Sequence, residues 1–490
     1  MKIALLQPNP RSGDYTGNLE HLCALCERVG VEEDDLVVFP LGSLEGGTGG
    51  EALQWPDQHT AFRRALVALS ERIVARRLLL FYGKGNAVGK IYIEDGVECV
   101  FPSDEALVVD GLRIALHRGH SGDCLVEADR LFAAPHRRDW PESSPRPVLM
   151  AGTSGGQDRA VFAGETGWVC GTDRESLPLW SAGAVRLEVE SLDGQVSVRT
   201  LKVVDSEIEP VCEDWRYEAL RAALRDYVRK SGVNGIVLGL SGGIDSALSA
   251  TLARDAVGAD KVRVIRLPSR FTSDLSNDSA EDLAGRQGLR LDTLPIEPGV
   301  SAIGSILAPL FDGLEQDVTE ENIQARIRGT LLMAVANKFN LLLLCNANKA
   351  ESAMGYSTLY GDQTGGFAPL ADLWKGDVVE LCRARNRYAK DPDVIPVEII
   401  EREPSAELRE NQNDSDSLPP YDEIERVLRH VLAGGALCEL KNIDMSTARR
   451  IVRMTMRSAF KRAQAVPGVV ITEAPLSRLS GWGINTGAEF

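Results

Sequence analysis

The 490-residue sequence is short of positive charge: 54 Lys and Arg stand against 71 Asp and Glu, a formal net charge of −17. That deficit argues against a nucleic acid or an anionic membrane as partner, because either would be repelled at long range. Long apolar runs are missing as well. No stretch approaches the roughly 20 apolar residues of a membrane span. The apolar run in the opening MKIALLQPNP is too short for a signal peptide, and Pro8 breaks it. The nine cysteines are scattered and odd in number, without the spacing of a disulfide framework, which fits a reducing, cytoplasmic setting. Cys23 and Cys26 form a CxxC, but NLEHLCALCERV reads as one amphipathic helix, so both count as core residues. Internal repeats and low-complexity tracts are absent.

In bulk the chain is ordinary, with 44% hydrophobic and 26% charged residues, and it is long enough for two or three domains with full-sized cores. In the first half KIALLQ, LVVFP and RLLLFYG read as strands, with helices such as HTAFRRALVALSERIVA between them. After Lys90 strands with tight turns follow, through KIYIEDG, PVLMAG, TGWVCG and AVRLEVE. That order predicts a sandwich with helices outside a sheet core. From Ser191 to Trp215 the text reads as irregular and acidic, which places a boundary near Glu209 and gives domains 1–208 and 209–490. In the second half GIVLGL, VRVIRLP, LDTLPIE and LLLLCNA alternate with helices, the signature of a doubly wound parallel sheet.

One more absence is informative. The loop Gly239-Leu240-Ser241-Gly242-Gly243-Ile244-Asp245-Ser246 follows a buried strand and opens a helix near Ser246, yet it has no lysine. Its backbone N–H groups and the positive helix end suit a phosphate, and Ser241 and Ser246 add hydroxyl donors. Asp245 cannot favour a bare phosphate, so its expected task is to hold a Mg²⁺ that bridges phosphates. A lysine-bearing loop serves transfer of a terminal phosphate; this one is better suited to a pyrophosphate that is about to leave.

The pattern SGGxDS resembles the loop of the ATP pyrophosphatase group, whose members adenylate an oxygen and expel pyrophosphate. Four further blocks narrow the resemblance: LPSRFTSDLSNDSAEDLA, TEENIQARIRGTLLMAVANK, GYSTLYGDQTGGFAPLADLWK and EREPSAELRENQNDSDSLPPYDEIE. In order and spacing they resemble the synthetase half of glutamine-dependent NAD+ synthetase, from about Trp215 to Gly468. The resemblance implies ATP as co-substrate, adenylation of the carboxylate of deamido-NAD+, and attack by ammonia. It implies an adenine-nucleotide α-hydrolase-like fold for this half and at least a homodimer across the synthetase halves. It also implies ATP contacts from loop residues 239–246, Asn346, Lys375 and Ser405, and deamido-NAD+ contacts from Asn322, Arg326, Glu351, Asp362 and Lys461. Asp245 and Glu351 would hold the Mg²⁺, and with Lys375 they form the expected catalytic set. Asn322 and Arg326, at i and i+4, share one helix face, and Arg328 lies on another. Two positions depart from the family. Asn346-Ala347 stands where the family has Thr-Gly, and Gly376 replaces a threonine whose hydroxyl would cap the next helix.

MKIALLQPNPRSGDYTGNLEHL and GTSGGQDRAVFAGETGWV resemble parts of the nitrilase-like glutaminase domain of the same family, an α-β-β-α sandwich. Its chemistry needs a glutamate base, a lysine and a cysteine nucleophile. Here Leu41 follows VVFP where the glutamate belongs, the long loop that the lysine precedes in the family is missing, and alignment of GLRIALHRGHSGD puts Gly119 at the cysteine, after His117 and Arg118. The Cys212 of VCEDW imitates the nucleophile signature but lies in the linker. Glu45 and Cys124 are the residues a displaced glutaminase would use, and His117, His120 and Cys124, which hint at a metal in this half, lack a fourth ligand and read better as a polar loop. The expectation is a nitrilase-like domain without glutaminase activity, and ammonia that is free or delivered by another protein. Two other readings stay open: an adenylating ligase for a different carboxylate, and a non-catalytic nucleotide-binding regulator of a true synthetase.

Overall fold

The computed structural model describes residues 1–46, 56–84, 87–99, 106–116, 120–128, 141–157, 160–206, 208–410 and 412–476. The chain divides into two compact units, Met1–Glu209 and Pro210–Phe490.

The first unit begins with β1 (Lys2–Gln7), α1 (Tyr15–Val29), β2 (Leu36–Phe39), α2 (Pro56–Arg72), β3 (Arg77–Lys84), β4 (Ala87–Glu94) and β5 (Val97–Cys99). It continues with β6 (Leu107–Val109), β7 (Leu112–Ala115), β8 (Cys124–Glu127), β9 (Ser144–Met150), β10 (Ser154–Gln157), β11 (Ala160–Ala163), β12 (Gly167–Gly171) and β13 (Asp173–Ser176). A long pair closes it, β14 (Gly183–Leu192) and β15 (Gln195–Asp205). One sheet has the order β15-β14-β1-β2-β3-β4-β5 and the other β13-β12-β9-β8-β7-β6.

The two-residue alternation of a strand splits the core into two layers. Ala4, Leu6, Val37, Phe39, Leu78 and Leu80 face α1 and α2, where Cys23 and Cys26 pack among Leu19, Leu22, Phe62 and Leu66. Burial pushes both thiols up, so the CxxC is core, as read from its helix. Ile3, Leu5, Leu36, Val38, Leu79 and Phe81 face the second sheet, meeting Ile114, Val126 and Leu149. Helices, sheet and sheet are thus the layers of the expected sandwich. Ala115, Leu125, Val148 and Met150 form a buried cluster on the far side of the second sheet. No helix covers that cluster among the described residues.

One segment is corrected. Residues 195–205, read as irregular, form β15, paired with β14 along its length. Its alternation of Val and Leu with Ser, Arg, Thr and Lys is that of an edge strand, partly exposed throughout and therefore weak in apolar signal.

The second unit contains α3 (Trp215–Ser231), β16 (Gly235–Gly239), α4 (Ile244–Val257), β17 (Val262–Arg266), α5 (Asp274–Gln287), β18 (Arg290–Thr293), α6 (Glu297–Phe311), α7 (Val318–Phe339) and β19 (Leu341–Leu343). After these come α8 (Lys349–Met354), α9 (Lys375–Asn386), α10 (Val397–Glu401), α11 (Tyr421–Leu432), α12 (Met445–Arg457) and α13 (Ala459–Arg462). The sheet order is β18-β17-β16-β19, with every pair parallel. Chain direction across the sheet reverses at β16, because β17 lies on one side and β19 on the other. The carboxyl end of β16 is therefore the switch point at which such sheets bind ligands. No helix among the described residues is long and apolar enough to cross a membrane.

Candidate active site

The glycine loop sits at that switch point. β16 ends at Gly239 and α4 starts at Ile244, two residues before the expected start. Gly243 caps α4 without a side-chain hydrogen bond, which leaves first-turn N–H groups for a ligand. The two serines close the loop on itself. Ser246 Oγ accepts from the Ser241 N–H at 3.2 Å and donates to the Gly243 carbonyl at 2.9 Å, while Ser241 Oγ accepts from the Gly243 N–H at 3.2 Å. Gly242 has φ +80, and a Cβ there would lie 2.3 Å from the Ser276 carbonyl oxygen. Only glycine fits.

The loop borders a cleft of about 350 Å³ that is also lined by Asn346, Glu351, Asp362, Lys375 and Ser405. Thus seven of the eight loop residues, all except Gly242, meet five residues that lie 100 or more positions further along the chain. Lys375 Nζ donates to Asp245 Oδ2 at 2.5 Å and stands 3.9 Å from Glu351 Oε1. Burial lowers the Lys375 pKa, but the carboxylates of Asp245 and Glu351 more than offset this and hold the ammonium above its ordinary range. Burial and the neighbouring Asp245 charge push Glu351 well above the usual carboxylate range. Two partly buried carboxylates that face one ammonium in this way favour added positive charge.

These residues fit a Mg²⁺ of the kind that binds nucleotides. Mg²⁺ uses one or two carboxylates and takes its remaining ligands from phosphates and water. Among the described residues no group of three or more His, Cys, Asp or Glu could cage a metal alone. The Asp245–Glu351 pair is therefore suited to a cation that arrives with phosphate.

Asn346, the first departure from the family pattern, keeps its place. Its Nδ2 donates to the Gly239 carbonyl at 2.9 Å, and its buried Oδ1 has no partner, leaving an acceptor at the cleft wall. The second departure needs correction. Position 376 lies inside the first turn of α9, after the cap residue Trp374, so a hydroxyl there would not cap the helix. The Gly376 N–H is instead held by Glu425 Oε1 at 2.8 Å, and the Trp374 N–H by Asp377 Oδ2 at 2.9 Å. Ser405 Oγ donates to the Gln412 carbonyl at 2.5 Å.

Asn322, Arg326 and Lys461 do not line the cleft. They gather on the loop 355–362 that leads to Asp362. Thr358 Oγ1 donates to Asn322 Oδ1 at 2.6 Å, and Arg326 Nε to the Leu359 carbonyl at 3.3 Å. Lys461 Nζ donates to the carbonyls of Gly355 at 2.7 Å and Ser357 at 2.6 Å. Asp362 Oδ1 accepts from the Thr358 N–H at 2.6 Å; burial pushes this carboxyl up, although Lys461 pulls against the shift.

Sequence reasoning missed Arg328. Its Nε donates to the Leu267 carbonyl at 3.0 Å, and the residue lines the cleft. Burial lowers its pKa to about 10, and among the described residues no carboxylate lies within ion-pair distance. Its separation from the Asn322–Arg326 face was legible, but its destination was not.

Comparison with known proteins places the chain in a family. The NAD synthase family matches residues 216–465. Glutamine-dependent NAD+ synthetase of Acinetobacter baylyi is 31% identical, with 98% of each chain covered. The chain belongs to the glutamine-dependent NAD+ synthetase family. The Rhodobacter capsulatus relative is 44% identical over 66% of this chain, and the match spans 60% of that relative's length. The solved structure of the Acinetobacter baumannii glutamine-dependent NAD+ synthetase in complex with ADP is similar at 27% identity, with a TM-score of 0.70 and 99% of each chain covered.

Within this family the first unit is the place to look for glutaminase groups. Leu41 is buried in the apolar layer between the two sheets. Glu45 is buried; its Oε1 accepts from the Gly83 N–H at 2.8 Å, and burial pushes its pKa up to about 7. Cys124 lies in the same apolar layer as Leu41, where burial pushes its thiol up to about 12, opposite to what a nucleophile needs. Cys212 is buried in the segment before α3, its thiol pushed up to about 11. His117, Arg118 and Gly119 lie outside the described residues. His120 joins no metal-binding group among the described residues.

Proposed function

We propose that the protein is an NAD+ synthetase that uses ammonia. ATP would adenylate the nicotinate carboxylate of deamido-NAD+, with bond formation at the α-phosphorus and departure of pyrophosphate. Ammonia would then attack the acyl carbon and expel AMP. The observation that carries this reading is the meeting of Asp245, Lys375 and Glu351 beside the glycine loop. The first-turn N–H groups of α4, at residues 244–246, would hold phosphate oxygens, and the Lys375 ammonium would neutralise charge on the departing pyrophosphate. Mg²⁺ held by Asp245 and Glu351 would supply Lewis-acid charge neutralisation. Asn346, Ser405 and Arg328 would complete the ATP side, and Asn322, Arg326, Asp362 and Lys461 would hold and shape the loop over deamido-NAD+. The test is product analysis with Mg²⁺, ATP, deamido-NAD+ and ammonium. AMP, pyrophosphate and NAD+ should appear together; ADP as the nucleotide product would overturn the assignment.

The same reading includes a homodimer. α6 carries Val300, Ile303, Ile306, Leu307, Leu310 and Phe311, yet none of its residues is buried. Ile306, Leu310, Leu314 and Val318 are 60–75% exposed. A short helix with Pro309 inside it gains little from intrinsic propensity, so its apolar face needs cover, and a second copy presents the same surface. Changing Ile306 and Leu310 together to Asp should convert the protein to single chains in light scattering. A native protein that is already monomeric would refute this part.

A further inference from the structure

We propose that Asn348 is a positioning residue that presets the Asp245–Glu351 carboxylate pair for a divalent cation. This rests on the cation reading above. Asn348 is fully buried and begins α8. Its Oδ1 accepts from the Glu351 N–H at 3.0 Å, and its own N–H donates to Glu351 Oε2 at 3.2 Å, a reciprocal capping box. Because Oδ1 is committed to the helix, the amide nitrogen must point the other way. There Nδ2 donates to Asp245 Oδ1 at 3.1 Å. One residue therefore holds both carboxylates, Asp245 through its side-chain amide and Glu351 through its backbone N–H, although they belong to different helices and are separated by more than 100 residues.

The two carboxylates repel each other, and an unrestrained pair would swing apart or take up a proton. A neutral donor on Asp245 and a backbone clamp on Glu351 fix them without contributing a charge that competes with the cation. Lys375 takes the other oxygen of Asp245, so each Asp245 oxygen has one protein donor. The next residue secures the clamp. Lys349 is buried and donates to Asp372 Oδ1 at 2.7 Å, to Thr472 Oγ1 at 2.9 Å and to the Ala474 carbonyl at 2.8 Å, anchoring the start of α8. Partners of this kind that orient metal ligands are worth tenfold or more in affinity.

Asn348→Ser separates the two tasks of the side chain. A serine hydroxyl caps a helix about as well as asparagine but is too short to reach Asp245 as well. Mn²⁺ binding would be followed by electron paramagnetic resonance in the full-length protein with α,β-methylene-ATP, whose α–β linkage cannot be cleaved. Asn348→Ser should weaken Mn²⁺ binding about tenfold with a melting temperature within about 2 °C of the native protein. Asn348→Ala should lose the same affinity and, lacking the cap, also melt lower. Steady-state assays of the serine variant should show a higher half-saturating Mg²⁺ concentration. Native Mn²⁺ affinity in Asn348→Ser would overturn the proposal, as would a loss matched by a fall in melting temperature. The binding experiment needs neither deamido-NAD+ nor ammonia, so the synthetase reading can fail in the product assay while this role stands.

Discussion

Asp245→Asn is expected to lower AMP and pyrophosphate formation by about 10²–10³-fold while the protein stays folded. The substitution keeps the shape of the side chain and removes its charge. In the native site Asp245 Oδ2 receives Lys375 and Oδ1 receives Asn348, so both oxygens are acceptors. An amide can offer only one acceptor, so its NH₂ would face either an ammonium or another NH₂. Lys375 would lose its nearest counter-charge and the cation one of its two protein carboxylates. Charge on the departing pyrophosphate would then be poorly neutralised, and this is the step the loop is built to serve. Asp245 lies at the cleft rather than in a hydrophobic layer, so the melting temperature should move by only a few degrees. Pyrophosphate release with ATP and deamido-NAD+, measured alongside thermal melting, tests this. A folded Asp245→Asn protein that makes AMP at the native rate would remove Asp245 from the chemistry.

The sequence makes the loop legible because three local signals coincide: a buried strand, two adjacent glycines and a helix start. The sheet of the second unit is equally open to reading, since β16 and β19 are apolar and helices separate successive strands. Contacts that depend on two distant segments are less accessible. The Asn-x-x-Glu of Asn348 and Glu351 is a capping-box signal that announces α8, but nothing near it tells that the amide also reaches Asp245. Arg328 is placed by helix periodicity on a face of its own, and only the fold shows that this face opens on the cleft. β15 escaped because every residue of this edge strand is at least partly exposed and its alternation shifts phase between Val198 and Leu201. At Gly376 the family comparison flagged a lost hydroxyl, whereas the helix boundary, two residues earlier than that reading requires, decides that no cap was lost.

Glutamine is expected to support NAD+ formation at less than about 1% of the rate with ammonium at matched concentration, because losing even one stabilising group in such a site costs about 10²–10³-fold. Hydrolysis of the glutamine amide needs a thiolate beside a base, and a donor aimed at the developing oxyanion. Leu41, at the position of the base, cannot accept a proton and is packed between the sheets. Gly119, at the position of the nucleophile, has no side chain. The residues that might act instead are poorly prepared. Cys124 sits among apolar side chains with its thiol pushed up to about 12, so almost none of it is thiolate at neutral pH. Glu45 has one oxygen committed to the Gly83 N–H, and burial holds its carboxyl near pH 7. The Acinetobacter baylyi relative that bears the name glutamine-dependent NAD+ synthetase matches over 98% of this chain, so the nitrogen donor is where this protein is expected to part from its family. The comparison should follow NAD+ and glutamate together, with each nitrogen donor in turn. Glutamate release coupled to NAD+ formation would refute the ammonia-only reading, and its loss in Cys124→Ala would identify a displaced nucleophile.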